Sequence, residues 1–533
     1  MTSIASVAAQ VVLLAAWVVM LLRRGWGQFA KPRAAVLPVV LAVVALWAHL
    51  DFFHYHGADR IHRGDFYVYY VTTKYFPELG YTGLYEATTV ADYEDVPERY
   101  SPSAVVRSLQ DYSLVDKSDI IRRRTEIVGR FSPRRWGEFK ADIAVFRDPV
   151  PEEWWKRLMW DHGYNGTPVT TALYGFFARH SGLSTSTFLA AVSTLDMALL
   201  FGCAAWIGWA LGGSWGVLFV FLFAANPLND YHVIGGSYLR YTHFFATALA
   251  ITALLRGQRA MSGAFLALAA HLRVSPLVFL LALTARHAIR RDRWKAFRDN
   301  RRLYLAFAAS ALVLVLPTAF VHGPDGQSVW SGFARKVSLH SRTFAVNHIG
   351  IRYPFLYSQE GNVASLERAA EEGKAADWRE HAQATFERHR PAFVAAAAGV
   401  LGLTLLFLRR IREDQEALFA GVVCLFVLLH PSHYEFMILS LVPFMFPDER
   451  RMWVVLGVAL ALVGAVRFLP LSAVMDARFL AMSLIVGAYL VTALCLRCFV
   501  WRPARGGTGA FPIPTASGPG TGTRARRPGA HVS

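Results

Sequence analysis

The chain has 533 residues and only four cysteines. Cys203, Cys424, Cys495 and Cys498 all fall in or beside apolar segments, and the large polar stretches contain none, so no disulfide framework is expected to staple the polar regions. The spacing of Cys495 and Cys498 is that of a redox pair, but two small residues tolerated near the end of an apolar helix are the simpler account, and neither is given a role. There is no Walker loop and no dinucleotide fingerprint, so neither nucleotide hydrolysis nor a soluble cofactor is suggested. A repeat of solenoid period is also missing. No charge precedes the first apolar run, Ser6 to Leu22, whereas Arg23, Arg24, Lys31 and Arg33 follow it. A cleaved signal peptide carries its charges first, so this run reads as a retained span.

What the chain has in quantity is apolar sequence. Hydrophobic residues make up 54% of it, and many runs approach the roughly twenty residues that cross a hydrocarbon core. That excludes a soluble globular chain, and in lipid only helices or closed barrels satisfy their backbone groups. The expected fold is all-α: a polytopic transmembrane helical bundle of about 11 to 13 segments with large extracytoplasmic loops. A formal charge of +17 would suggest nucleic acid in a soluble protein. Here the cations sit largely in short loops and the tail, where they orient helices, and no nucleic-acid partner is expected.

The charges after the first span put its C-terminal end in the cytoplasm, and the second run, Ala34 to Phe53, then delivers a loop, 54–165, to the outside. Further spans read as 186–211, 213–228, 241–255, 303–321, 391–408, 416–430, 433–447, 452–469 and 477–498. Ala260 to Ala285 has basic residues at both ends and a break at His271-Leu272-Arg273-Val274-Ser275-Pro276. Proline disfavours helix before it and starts one well, so two short helices in a hairpin are expected, with His271 and Arg273 at the tip. The resulting organisation is an additional N-terminal helix and cytoplasmic turn (1–33), a core with its outer loop (34–321), a second outer loop (322–390), C-terminal helices (391–501) and a disordered basic cytoplasmic tail (502–533). Within the second loop, Ser365 to His389 reads as a solvated amphipathic helix.

Polar residues at span rims are costly and therefore functional candidates. They gather outside, in four connections: Asp51, His54, His56, Asp59, Arg60, His62 and Asp65; Asn226, Asn229, Asp230, His232, Arg240 and His243; His340, Arg342, Asn347, His348 and Arg352; and His430, His433 and Glu435. Asp65 is the sharpest, because it opens an aromatic-rich segment, Asp65 to Phe76, with Phe66, Tyr69, Tyr70 and Thr73 on one helical face. That helix is expected at the membrane interface. Asp65 reads either as its N-cap or as a general base at the bilayer rim, with Asp51 the rival base or a cap on the span's exit. His54, His56 and His62 have spacings open to metal, but no compact carboxylate-histidine signature completes a site, so no metal and no other cofactor is assigned. Arg273 is either a snorkelling cation or a buried phosphate ligand. The arginines of the first loop, among them Arg122 to Arg124, Arg134 and Arg135, read as solvated or touching anionic headgroups.

Asp65-Phe66-Tyr67-Val68-Tyr69-Tyr70, then Gly80, then Leu84-Tyr85, resembles a motif of the GT-C superfamily of membrane glycosyltransferases, particularly the polyprenyl-phosphate-mannose-dependent mannosyltransferases. Tyr164-Asn165-Gly166-Thr167-Pro168 is similar to that superfamily's proline-bearing start of its next helix, and Gly263 to Pro276, with Arg273, to its basic residue before a proline. The likeness covers roughly the first 290 residues. It departs from the superfamily in its additional first span and its long first loop.

The resemblance implies a GT-C-like architecture and inverting transfer of mannose or another hexose or pentose from a polyprenyl-phosphate-linked donor to an extracytoplasmic glycan, lipid or protein acceptor. On that expectation Asp65, or Asp51, takes the acceptor proton. Arg273, Arg240, His243, His340 and Arg342 meet the departing lipid phosphate. His54, His56, Tyr69, Tyr70, Asn165, Asn347 and His348 contact substrate, and Trp330 joins Tyr69 and Tyr70 along the groove. Composition rich in Ala, Arg, Gly and Val suggests a bacterial plasma membrane, with the site facing outward among membrane lipids. The rivals are a transporter or flippase of lipid-linked sugars, which would favour mid-membrane sites and paired repeats; a non-catalytic scaffold; and an O-antigen ligase or polymerase, whose late basic outer loop Arg335 to Arg352 partly imitates.

Overall fold

The computed structural model describes residues 2–23, 36–56, 60–101, 104–365, 378–429, 431–470 and 474–500. Within them the chain is almost entirely helical, its one sheet a two-stranded antiparallel ribbon of Val105–Arg107 with Leu114–Asp116. Six helices are long and apolar enough to cross a membrane: Ile4–Arg23, Thr185–Leu211, Arg301–Phe320, Trp378–Arg410, Arg450–Phe468 and Met475–Val500. Shorter apolar helices, Val36–His49, Gly213–Ala225, Thr242–Leu255 and Leu277–Ala288, complete the bundle. The expected all-α polytopic architecture is present. Trp17, Trp215, Phe219, Phe419 and Trp453 pack its core, while Leu305, Leu312, Val313 and Phe320 point outward on one long helix, as suits a surface solvated by lipid tails.

Several boundaries differ from the sequence reading. The break before Pro276 does separate two short helices, Arg259–Leu272 and Leu277–Ala288. The stretch expected as a separate solvated helix has no independent end in its described part. Trp378–Arg410 runs unbroken through Pro391 for 33 residues, about 50 Å at 1.5 Å per residue. That exceeds a hydrocarbon core of about 30 Å, so one end must project. The tail 502–533, Asp59 and His430 lie outside the described residues.

The first long loop is also more than a loop with an interfacial helix. Phe66, Tyr67, Tyr75, Phe139, Phe146 and Trp155 form a second hydrophobic core, so the aromatic helix after Asp65 is the centre of a folded lobe and its aromatics are buried in protein. The arginines expected to be solvated divide: Arg122 and Arg134 are exposed, but Arg135 stacks on Tyr75 at 4.3 Å and pairs with Glu78 at 2.7 Å. Asp142 fastens the lobe, accepting from Lys74 Nζ at 2.7 Å, Tyr75 Oη at 2.7 Å and Thr185 Oγ1 at 2.5 Å. Thr185 begins a membrane helix, so this carboxylate ties lobe to bundle. Asp142→Ala strands a buried ammonium and two hydroxyls; a loss of about 3 kcal/mol, read as a lowered Tm of the purified protein, is expected.

Candidate functional site

The site is assembled around the first turn of the lobe helix. His62 caps that turn, its Nδ1 accepting from the Asp65 N–H at 3.1 Å. Asp65 is therefore not the N-cap, and its side chain is spent elsewhere. Oδ2 accepts from the Tyr238 N–H at 3.0 Å, and Oδ1 faces Arg240 Nε at 3.5 Å. Burial pushes the Asp65 carboxyl above the usual carboxylate range, opposed by Arg240, the Tyr238 N–H and Arg273. The following residues, Tyr67–Val71, form a π-helical turn. Such turns recur at functional sites because the extra residue re-aims side chains; here Val68 and Tyr69 line a cavity while Tyr67 and Tyr70 enter the lobe core.

The segment that meets Asp65 is held in an unusual conformation. Gly236 has φ +59°, and a Cβ there would lie 2.9 Å from the Arg60 carbonyl oxygen. Three residues later Leu239 is also left-handed, at φ +58°, a conformation that persists only where its surroundings enforce it. His62 N–H donates to Gly236 O at 2.9 Å, and Gly236 N–H to the buried Asp196 Oδ2 at 2.9 Å. The outcome is that Tyr238 N–H and Arg240 face the same carboxylate.

From Arg240 a charged chain continues. Its guanidinium stacks on Tyr69 at 4.3 Å, its Nη2 donates to Tyr434 Oη at 2.9 Å, and its buried Nη1 has no hydrogen-bond partner among the described residues. Tyr434 Oη is also 3.4 Å from Arg273 Nη2. Arg273 pairs with Glu435, which accepts from Ser275 Oγ at 2.7 Å and lies 3.6 Å from His243 Nε2. Two arginines thus meet at one phenol, with a carboxylate at each end of the chain.

These groups line a cavity of about 860 Å³. All four of the candidate-bearing connections reach it, and of the sequence candidates it gathers Asp65, Tyr69, Asn165, Arg240, His243, Arg273, His340, Asn347 and His348. Five others stand apart. Asp51 is consumed by the first helix: it accepts from Ser3 Oγ, from Ser6 Oγ at 2.6 Å and from His232 Nε2 at 2.9 Å. His54 is exposed, and His56 is tied to the Gly235 carbonyl at 2.8 Å. Tyr70 bonds Thr185 inside the lobe, and Arg342 is exposed beyond the helix Val329–Ser341. Trp330 is likewise outside, donating to Thr318 Oγ1 at 2.8 Å. Among the described residues no three His, Cys, Asp or Glu side chains gather in a metal-holding group.

Sequence reasoning passed over Tyr434 and Lys336. Tyr434 stands between His433 and Glu435, and that outer turn was the available signal. Lys336 lines the cavity from the helix Val329–Ser341, donating to the His162 carbonyl at 2.7 Å and lying 4.7 Å over the Tyr112 ring. Burial brings its ammonium down to about 7, with Asp161 pulling the other way. Burial likewise brings His340 down to about 4, assisted by Lys336 and Arg273. The cavity therefore offers fixed guanidinium charge beside the His340 imidazole, which is neutral near pH 7.

Residues 164–431, half of the chain, match the family model of glycosyltransferase family 87. The chain belongs to glycosyltransferase family 87. It is a multi-pass membrane glycosyltransferase, as the resemblance to GT-C enzymes implied. Comparisons with curated proteins and with solved structures returned no match. The family 87 segment carries Arg240, His243, Arg273, Lys336 and His340. Asp65 and Glu435 lie outside it, on the lobe and on the turn after it.

Proposed function

We propose that the enzyme transfers a sugar, mannose or another hexose or pentose, from a polyprenyl-phosphate-linked donor to a glycan, lipid or protein acceptor on the extracytoplasmic face of a bacterial plasma membrane. Asp65 is the general base. The observation that carries this reading is the meeting of a buried carboxylate with a guanidinium that keeps an unpartnered N–H, both on one cavity. A base needs a hydroxyl within reach, and a departing phosphate needs cations already in position.

In the proposed step the acceptor oxygen attacks the anomeric carbon while its proton passes to Asp65. The bond from that carbon to the donor's phosphate oxygen breaks, and the lipid phosphate leaves with the electron pair. Arg240 and Arg273 receive the charge, with His243 and His340 as donors beside them. Tyr69, Asn165, Asn347 and His348 contact the sugar. A single displacement inverts the anomeric centre, so NMR of the isolated product is expected to give the configuration opposite to the donor's; retention would sink a mechanism with Asp65 as base.

The pH dependence has a definite sign. Asp65 works only when ionised, and burial raises its pKa, so kcat/KM should climb with pH along an acid limb displaced upward from that of an ordinary carboxylate. Because Arg240 holds the carboxyl down, Arg240→Gln should displace that limb further upward. An unchanged limb in the variant would mean that another group titrates.

A further inference from the structure

A second chamber of about 390 Å³ adjoins the main cavity, and the two share His162, Val233, Ala345 and Asn347 as lining. Part of its wall comes from elsewhere: Gln10 from the first helix, His49 from the end of the second, His433 from the late turn, and Phe479 and Met482 from the last helix. None of those five falls within residues 164–431. The chamber thus joins residues of the family 87 segment, such as Asn229, Tyr231 and Trp378, to others outside it, including the first helix.

Its polar lining is under-used. His49 is 1% exposed and stands edge-on to Phe223 and Tyr231, with neither ring nitrogen hydrogen-bonded among the described residues. His433 Nδ1 and His162 Nε2 are buried and unpartnered as well. Burying a donor or acceptor without a partner costs free energy that native proteins rarely leave uncompensated. Three imidazoles therefore border this space with spare hydrogen-bonding capacity, against a wall that includes Tyr231, Trp378 and Phe479.

We propose that this chamber binds the saccharide portion of the acceptor and so sets which glycan is extended. The assignment rests on the glycosyl-transfer reading of the adjoining cavity. A neutral imidazole both donates and accepts, matching a hydroxyl, and aromatic walls match the apolar face of a sugar ring. A lipid tail would leave the ring nitrogens unpaired, and a bare phosphate would waste the apolar wall. The nearby Arg379, Arg467 and Arg478 are already engaged within the protein, Arg467 with the Thr2 carbonyl at 3.0 Å, so selection falls to the imidazoles.

The test is direct binding to the full chain in lipid nanodiscs. Octyl-linked disaccharides of glucose, galactose, mannose and arabinose serve as acceptor probes, and undecaprenyl phosphate as the donor-site probe. His49→Phe removes the imidazole, and Met482→Trp fills the chamber without touching a polar group. At least one disaccharide should bind the wild type and weaken about tenfold or more in both variants, the scale of a lost hydrogen bond or a blocked subsite. Retained undecaprenyl phosphate binding in the variants reports an intact fold. Absence of binding by every disaccharide, or equal binding by wild type and filled chamber, overturns the proposal. Chamber-dependent disaccharide binding together with no undecaprenyl phosphate binding to the wild type would uphold the chamber and remove the lipid-phosphate donor from the account of the main cavity.

Discussion

Asp65→Asn is expected to reduce the rate of sugar transfer by about a thousandfold, within the range that a positioned general base contributes. The replacement keeps the side chain's shape, and its amide oxygen still accepts the Tyr238 N–H that fixes Asp65 at 3.0 Å. What it loses is the ability to take a proton. Affinity for polyprenyl phosphate should stay within a few-fold of the wild type, because the carboxylate opposes a bound phosphate more than it helps one. Loss confined to kcat, with the donor still bound, separates a missing base from a collapsed site. Asp65→Glu should be intermediate: it restores a carboxylate but pushes it a methylene toward Arg240 Nε, already 3.5 Å away.

Arg240→Gln is the second large effect. Arg240 touches every part of the proposed chemistry, facing Asp65, stacking on Tyr69 and donating to Tyr434. Its buried Nη1 has no hydrogen-bond partner among the described residues. Removing a preorganised donor to developing negative charge costs on the order of 10² to 10³ in rate, and donor affinity should fall with it. Arg240→Lys retains charge without the planar fork or the stacking surface, so only partial recovery is expected. If Arg240 were merely structural, the lysine and glutamine variants would suffer alike and both would lose thermal stability. Steady-state kinetics with donor varied, alongside melting curves, distinguishes the cases.

Much of the arrangement was legible in the sequence because membrane constraints are strong. Apolar runs of about twenty residues can be little else than helices in lipid, and a histidine, arginine or carboxylate at a span's outer end needs a partner or a function. This logic singles out Asp65, Arg240 and His340 in the sequence, and the resemblance to GT-C enzymes adds Arg273 to them. Asp51 was a reasonable rival on the same logic. Its partners Ser3 and Ser6 lie just before and within the first turns of the additional first helix, a long-range contact that periodicity does not disclose. The lobe was hidden for a related reason: its aromatic pattern suits an interfacial helix as well as a buried one, and only packing against Phe139, Phe146 and Trp155 decides between them. Tyr434 lacked any signal of its own, since its bridging role depends on two arginines about 160 and 190 residues earlier. The strained turn at Leu239 was equally unreadable, leucine being a residue that does not advertise a left-handed backbone.

The central proposal for the main cavity is transfer from a lipid-phosphate donor with Asp65 as base. Its most direct test is radiolabelled sugar transfer to membrane acceptors by the purified enzyme in nanodiscs, comparing wild type with Asp65→Asn at equal expression and monodispersity, and offering polyprenyl-phosphate sugars and nucleotide sugars in parallel. The expected result is transfer from a polyprenyl-phosphate sugar alone, lost in the variant while donor lipid still binds. Transfer from a nucleotide sugar instead, or undiminished transfer by Asp65→Asn, would contradict it.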